Sequence, residues 1–247
     1  MNYCNNQNWW LLFNSTDPED ELMWFINELQ YSELINEKVH VIGHIPPGSN
    51  DCLEMWSRNY HRIINRFEKT ITGQFFGHTH QDEFEIFYSD DEAEDQNFED
   101  LKPVSVAYIG PSTTTFGGVN PGYRIYEIGG THFSKPFSVI NHQTYFANLT
   151  EANYYGPTRP LEWKQSYSAL EAFDFKSLEA QEWHQLIIDM MSDEKLFNQF
   201  LNYFYNRSNF VKSSDCSDVC KNEILCRLIS AKAHNNSYCN KLLKLLT

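Results

Sequence analysis

Gly43-His44 closes one short apolar run, and Gly77-His78-Thr79-His80 closes another. Imidazole nitrogens are neutral donors suited to zinc and similar metals. Extended backbone sends residues i and i+2 to the same side. His78 and His80 are therefore expected to aim two imidazoles at one ion or at two adjacent ions. The glycine before each motif permits a sharp turn and leaves room for a cluster. His44 joins the pair if its strand lies beside theirs, and strand ends at one edge of an α/β sheet are where ligand sites collect. His40, His61, His132, His142, His184 and His234 lack such a setting and read as structural residues.

The elements that must position these histidines are legible from periodicity. Asp17-Pro18-Glu19-Asp20 reads as a capped helix start, followed by Leu22, Phe25, Ile26 and Leu29 on one face. Residues 38–44 read as a buried strand, turned by Pro46-Pro47-Gly48. A second helix then carries Trp56, Tyr60, Ile63, Ile64 and Phe67, and 71–77 read as the next strand. Strands are also expected at 84–88, 104–109, 123–128 and 137–140, with the acidic run from Asp90 to Asp100 as a solvated loop. Asp82 and Glu83 read as strand-edge charges, with orientation of the imidazoles as the alternative role. From about Lys176 the pattern is helical, and two stripes, Trp183 to Met191 and Phe197 to Phe204, read as core.

Composition narrows the setting. A net charge of −14, with no basic run, argues against a nucleic-acid partner, because phosphate backbones are held largely by Lys and Arg. No apolar stretch approaches the ~18–20 residues of a membrane span. Six cysteines fall in two places: Cys4 and Cys52 early, then Cys216, Cys220, Cys226 and Cys239. Six allow 15 pairings. Four acceptor sequons for N-glycans begin at Asn14, Asn148, Asn206 and Asn235. Together they favour an oxidising, exported history, secreted or lysosomal. Residues 1–30 do not read as a signal peptide, so the chain is expected to be a fragment or the product of a truncated gene model.

Gly43-His-Ile-Pro-Pro-Gly48 and Gln74-Phe-Phe-Gly-His-Thr-His80 resemble the last two metal motifs of the calcineurin-like metallophosphoesterases, in their acid sphingomyelinase form. Phe13-Asn-Ser-Thr-Asp-Pro18, Asn120-Pro-Gly-Tyr-Arg-Ile-Tyr126 and Tyr145-Phe-Ala-Asn-Leu-Thr150 narrow the likeness to sphingomyelinases and their phosphodiesterase relatives. It runs from about Asn2 to Leu242. The fold so implied is α/β: residues 1–165 as the C-terminal part of a metallophosphoesterase β-sandwich flanked by helices, and 166–247 as a small, disulfide-stapled helical lobe.

The resemblance implies two bridged zinc ions in the family's full site, with His44 and His78 on one and His80 on the other. It also implies cystines Cys4–Cys52, Cys216–Cys220 and Cys226–Cys239. The implied reaction is hydrolysis of sphingomyelin to ceramide and phosphocholine, with contact to a membrane surface. The alternatives are a related secreted phosphodiesterase acting on nucleotides or other phosphate esters, and a non-catalytic secreted binding protein. Phe116 stands where a tyrosine is expected near substrate. The family's Asp-x-His, Gly-Asp and Gly-Asn-His motifs are not found in residues 1–43, so the general acid is expected upstream. Two dications side by side need carboxylates to offset their repulsion, and three neutral imidazoles hold at most one zinc.

Overall fold

The computed structural model describes Cys4 and residues 10–90, 96–210 and 216–245. Four of the expected strands pair in the order β1-β2-β4-β3: β1 (Val39–Ile42), β2 (Ile71–Phe76), β3 (Glu83–Tyr88) and β4 (Pro103–Ile109). β1, β2 and β4 run parallel, and β3 returns antiparallel to β4. A parallel pair needs a crossover; helix α3 (Glu54–Arg66) supplies it between β1 and β2.

Period-two alternation decides what each face of this sheet touches. Ala107 and Ile109 pack with Leu22, Phe25 and Leu29 of α2 (Glu21–Leu34) and with Trp56, Tyr60 and Ile64 of α3. Val106 and Tyr108, the intervening residues of β4, turn to the other face. There they meet the helices α6 (Ala180–Ser192), α7 (Glu194–Phe204), α8 (Asp218–Leu228) and α9 (Ser237–Lys244). The two helical stripes read from sequence are the faces buried there, including Trp183, Met190, Phe200 and Phe204. β3 lies at the sheet's edge, yet all six of its residues are buried. Covering an edge in this way blocks pairing with other chains.

A second, three-stranded antiparallel sheet consists of β5 (Gly122–Ile128), β6 (Val139–Ala147) and β7 (Trp163–Ser168). Its inner face meets the first sheet through aromatic rings: Tyr126 lies 4.7 Å from Phe75 and 5.7 Å from Tyr108, and His142 6.0 Å from Tyr108. The protein is thus mixed α/β, two sheets flanked by helices with a disulfide-stapled helical end. Short helices α1 (Trp10–Phe13), α4 (Leu149–Tyr155) and α5 (Ala169–Ala172) complete the described segments. No helix among the described residues is long and apolar enough to cross a membrane.

Several expectations need correction. Asp17 does cap a helix, but across an intervening 3-10 turn: its two carboxylate oxygens accept from the N–H groups of Leu22 and Met23, at 2.7 and 3.0 Å. β6 continues well past Ile140 through the polar-looking Asn141-His142-Gln143, whose alternate residues face the core. The acidic run is not a solvated loop throughout. Phe98 is fully buried against Tyr88 and His184, and Asp90 pairs with Lys232 at 3.0 Å. Residues 91–95 of that run lie outside the described residues. Phe98 is the anchor that charge counting overlooks. His61, His142 and His184 are buried, and burial pushes the proton affinity of all three down.

Asp82 is the largest departure. It is neither a strand-edge charge nor a partner of the histidines. It is 3% exposed and forms an ion pair with Arg124 of β5. Thr144 of β6 donates to its Oδ2 at 3.0 Å and Tyr167 of β7 to its Oδ1 at 2.7 Å. One carboxylate therefore ties the chain just before β3 to all three strands of the second sheet. Removing one partner of a buried pair leaves the other charge uncompensated, at a cost of about 3–5 kcal/mol. Asp82→Ala should lose stability on that scale in urea unfolding, and Asp82→Leu combined with Arg124→Met should recover much of it.

Candidate metal centre

β1 and β2 are adjacent and parallel, so the segments that follow them leave from the same edge. Backbone bonds carry the pairing past both strand ends: Gly43 N–H donates to Phe75 O, and Gly77 N–H donates to His44 O, each at 3.0 Å. Gly110, after β4, donates to Phe76 O at 3.0 Å, which brings a third loop to the same edge. The ladder sets the His44 and His78 imidazoles side by side, ring centroids 5.1 Å apart and planes at 80°.

The backbone at the second motif is not the extended one assumed from sequence. His78 and His80 both have positive φ, 74° and 65°. Left-handed backbone costs a non-glycine residue about 1–2 kcal/mol. Strained residues of this kind concentrate where the surrounding structure holds a functional geometry. The two side chains consequently diverge. His78 faces His44, whereas His80 packs edge-on against Phe116 at 6.0 Å. Phe116 is 78% exposed and lies on the loop after β4. His80 remains close enough for its charge to act on His44. Burial, and then the charges of His78 and His80, lower the proton affinity of His44, which favours the neutral, metal-donating form.

Zinc–imidazole bonds of about 2.0–2.1 Å in a tetrahedral arrangement place two ring centroids on the order of 5 Å apart. The His44–His78 pair meets that requirement. Among the described residues no three His, Cys, Asp or Glu side chains converge to hold one ion, so His80 does not complete a triad with the pair. The closest carboxylate contact is one that sequence reasoning missed. Asp51 Oδ2 lies 2.7 Å from His78 Nε2. A carboxylate in the loop after Gly43-His44 was a visible cue, but nothing in its spacing said that the loop folds back to His78.

The C-terminal lobe holds the loop after His44 in place. Gly48 N–H donates to Glu85 Oε2 at 2.9 Å, and a Cβ at Gly48 would lie 1.7 Å from Ser230 O. Only glycine permits this approach. Ala233 N–H donates to Ser57 Oγ at 2.8 Å, and His234 Nε2 lies 3.1 Å from Cys52 O. Cys4 and Cys52 form a disulfide on the same loop, and Cys216–Cys220 and Cys226–Cys239 form the other two. These are the pairings that the resemblance implied. Glu83 is also corrected from a strand-edge charge: it is buried and bonded to Arg227 at 2.6 Å. Burial holds the Glu85 carboxyl well above the usual carboxylate range. The Gly48 N–H and Arg227 draw it down, and the charge of Glu83 adds to the rise.

The sequons fare differently. Asn148 caps α4, accepting from Glu151 N–H at 3.0 Å. Asn14 accepts from Asp17 N–H at 2.9 Å, and Asn235 from Ser237 N–H at 2.9 Å. Asn206 is 1% exposed, and its amide donates to Asn120 O.

Two outcomes are expected. Partners that orient a ligating histidine typically contribute 10–100-fold in metal affinity. Asp51→Asn should therefore weaken zinc binding by about that factor in calorimetric titration, with the melting temperature unchanged. Glu85 generates a pH dependence whose sign follows from its raised folded-state value. Its contribution is complete below the unfolded value of about 4.3 and is lost as pH rises through the folded value. Glu85→Gln should thus gain stability relative to the parent protein at pH 7 but not at pH 4, measured by urea unfolding at both.

Comparison with known proteins places this arrangement. Residues 97–245 match the family described as the acid sphingomyelin phosphodiesterase C-terminal region. The chain is 43% identical to sphingomyelin phosphodiesterase of Bos taurus and 42% identical to that of Homo sapiens. Each match covers 98% of this chain, and 37% and 36% of those relatives. Sphingomyelin phosphodiesterase 1 of Caenorhabditis elegans is 38% identical over 96% of the chain and 39% of the relative. The chain spans a little over a third of the length of these relatives. It belongs to the family of acid sphingomyelin phosphodiesterase C-terminal regions.

Proposed function

We propose that this chain supplies the histidine side of a zinc-dependent phosphodiesterase site that hydrolyses sphingomyelin to ceramide and phosphocholine. The observation that carries the reading is the juxtaposition of His44 and His78 at the ends of adjacent parallel strands. The 42–43% identity to two proteins named sphingomyelin phosphodiesterase supports the substrate. In this proposal His44 and His78 hold one zinc and His80 serves a second. Zinc there would acidify a water and draw charge from the phosphoryl oxygens.

This chain's own residues have three tasks. Burial lowers the proton affinity of His44, which favours its neutral form, and Asp51 orients His78 through Nε2. Phe116, exposed beside His80, offers an apolar face to the substrate in place of a hydroxyl contact. Two adjacent dications need bridging carboxylates, and the leaving alkoxide needs an acid worth about 10²–10⁴-fold; the three histidines supply neither. Residues 1 to about 165 form the phosphoesterase portion in this reading, and 166–247 the helical portion. Three disulfides support an exported protein, secreted or lysosomal, and a sphingomyelin substrate would bring it to a membrane surface.

A chimera in which residues 1–247 replace the matching region of the bovine relative tests the assignment. It should hydrolyse sphingomyelin at acid pH. His44→Ala or His78→Ala should cost more than the ~10–100-fold typical of losing an outer partner alone. Cleavage of a nucleotide phosphodiester but not sphingomyelin would select the alternative substrate class. Full activity in both variants would remove the pair from the site.

A further inference from the structure

A cleft of about 940 Å³ opens at the opposite end of the two sheets from the histidines. Its walls come from the starts of β2 and β4, the β5–β6 hairpin, α5 and the start of α6. Ile71 lines it at the first residue of β2, whereas His78 follows the last. At about 3.3 Å per strand residue the two sites are about 20 Å apart. The cleft lies near the upper end of the roughly 300–1,000 Å³ of ligand pockets.

Its chemistry has two parts. The walls are mixed: Ile71, Val104, Val139 and Leu170 contribute apolar surface, interspersed with Thr72, Ser105 and Asn141. The lining also holds five lysines, Lys38, Lys69, Lys102, Lys135 and Lys176. Three glutamates, Glu68, Glu127 and Glu179, lie among them, leaving a net of two positive charges in a chain whose net charge is −14. Lys38 donates to the backbone carbonyl of Lys69 at 2.8 Å, so one ammonium of the lining is held in place. The Lys135–Glu179 pair, 3.0 Å apart, is more than half exposed on the lysine side and is weakly bound. Gathered lysines beside apolar wall residues are complementary to a ligand with an acidic head and a hydrocarbon body.

We propose that this cleft binds a single-chain anionic amphiphile, its hydrocarbon chain between the two sheets and its acidic head among the lysines. The site is separate from the histidine edge and does not depend on the reading of that edge.

Octanoate, decanoate and dodecanoate are suitable probes, titrated calorimetrically at pH 7.4 into the full chain. Dodecyltrimethylammonium, with the same chain and opposite charge, is the control. A buried chain should tighten Kd by about fourfold per added methylene, and the cation should bind at least tenfold more weakly than dodecanoate. Lys69→Glu with Lys176→Glu, both on exposed lysines, should weaken dodecanoate at least tenfold without shifting the melting temperature. Leu170→Trp, which fills the interior, should reduce the chain-length dependence. Equal binding of cation and anion, or a Kd that ignores chain length, would overturn the proposal. So would a lysine variant that folds normally and binds dodecanoate as the parent does.

Discussion

Asp82 lies two residues beyond His80 and, with Arg124, Thr144 and Tyr167, joins the end of the histidine loop to every strand of the second sheet. The other end of that loop is set by the β1–β2 ladder, which continues through Gly43 and Gly77. A segment held at both ends can keep His78 and His80 in left-handed backbone that it would otherwise relax. The placement of the imidazoles thus depends on a buried ion pair as well as on the strands beneath them. Buried pairs of this sort often add little net stability, because desolvation offsets attraction. Here the pair's contribution is geometric, since it fixes where the second sheet meets the first.

The C-terminal helices bear on the site in a similar way. Ser230, Ala233 and His234 grip the stretch from Gly48 to Ser57, the continuation of the loop that starts at His44. The same region buries Glu83 and Glu85, through Arg227 and the Gly48 N–H. The helical end therefore packs directly on the strands and loops that carry the histidines.

Most elements were legible because their apolar residues recur with the period of the structure they form. α3 and the two C-terminal stripes follow the helical period, and β4 sends alternate residues to opposite clusters. What escaped was long-range. Trp163–Ser168 is too polar to announce β7, and it exists because β6 lies beside it. Asp82 and Glu83 looked like surface charges because their partners, Arg124 and Arg227, lie 42 and 144 residues away. The histidine motifs stand out in the sequence, but the backbone at His78 and His80 is left-handed and not extended. Parallel pairing brings His44 to His78, whereas alternation along one strand does not bring His80 to either. Asp51 could not have been assigned without knowing how its loop folds.

The central claim is that strand pairing makes His44 and His78, rather than His78 and His80, the two donors to a shared ion. Crystals soaked in zinc, with anomalous diffraction recorded on either side of the zinc edge, test it directly. The account predicts a peak about 2.0–2.1 Å from one ring nitrogen each of His44 and His78. A peak bonded to His78 and His80 together, with His44 turned away, would contradict it.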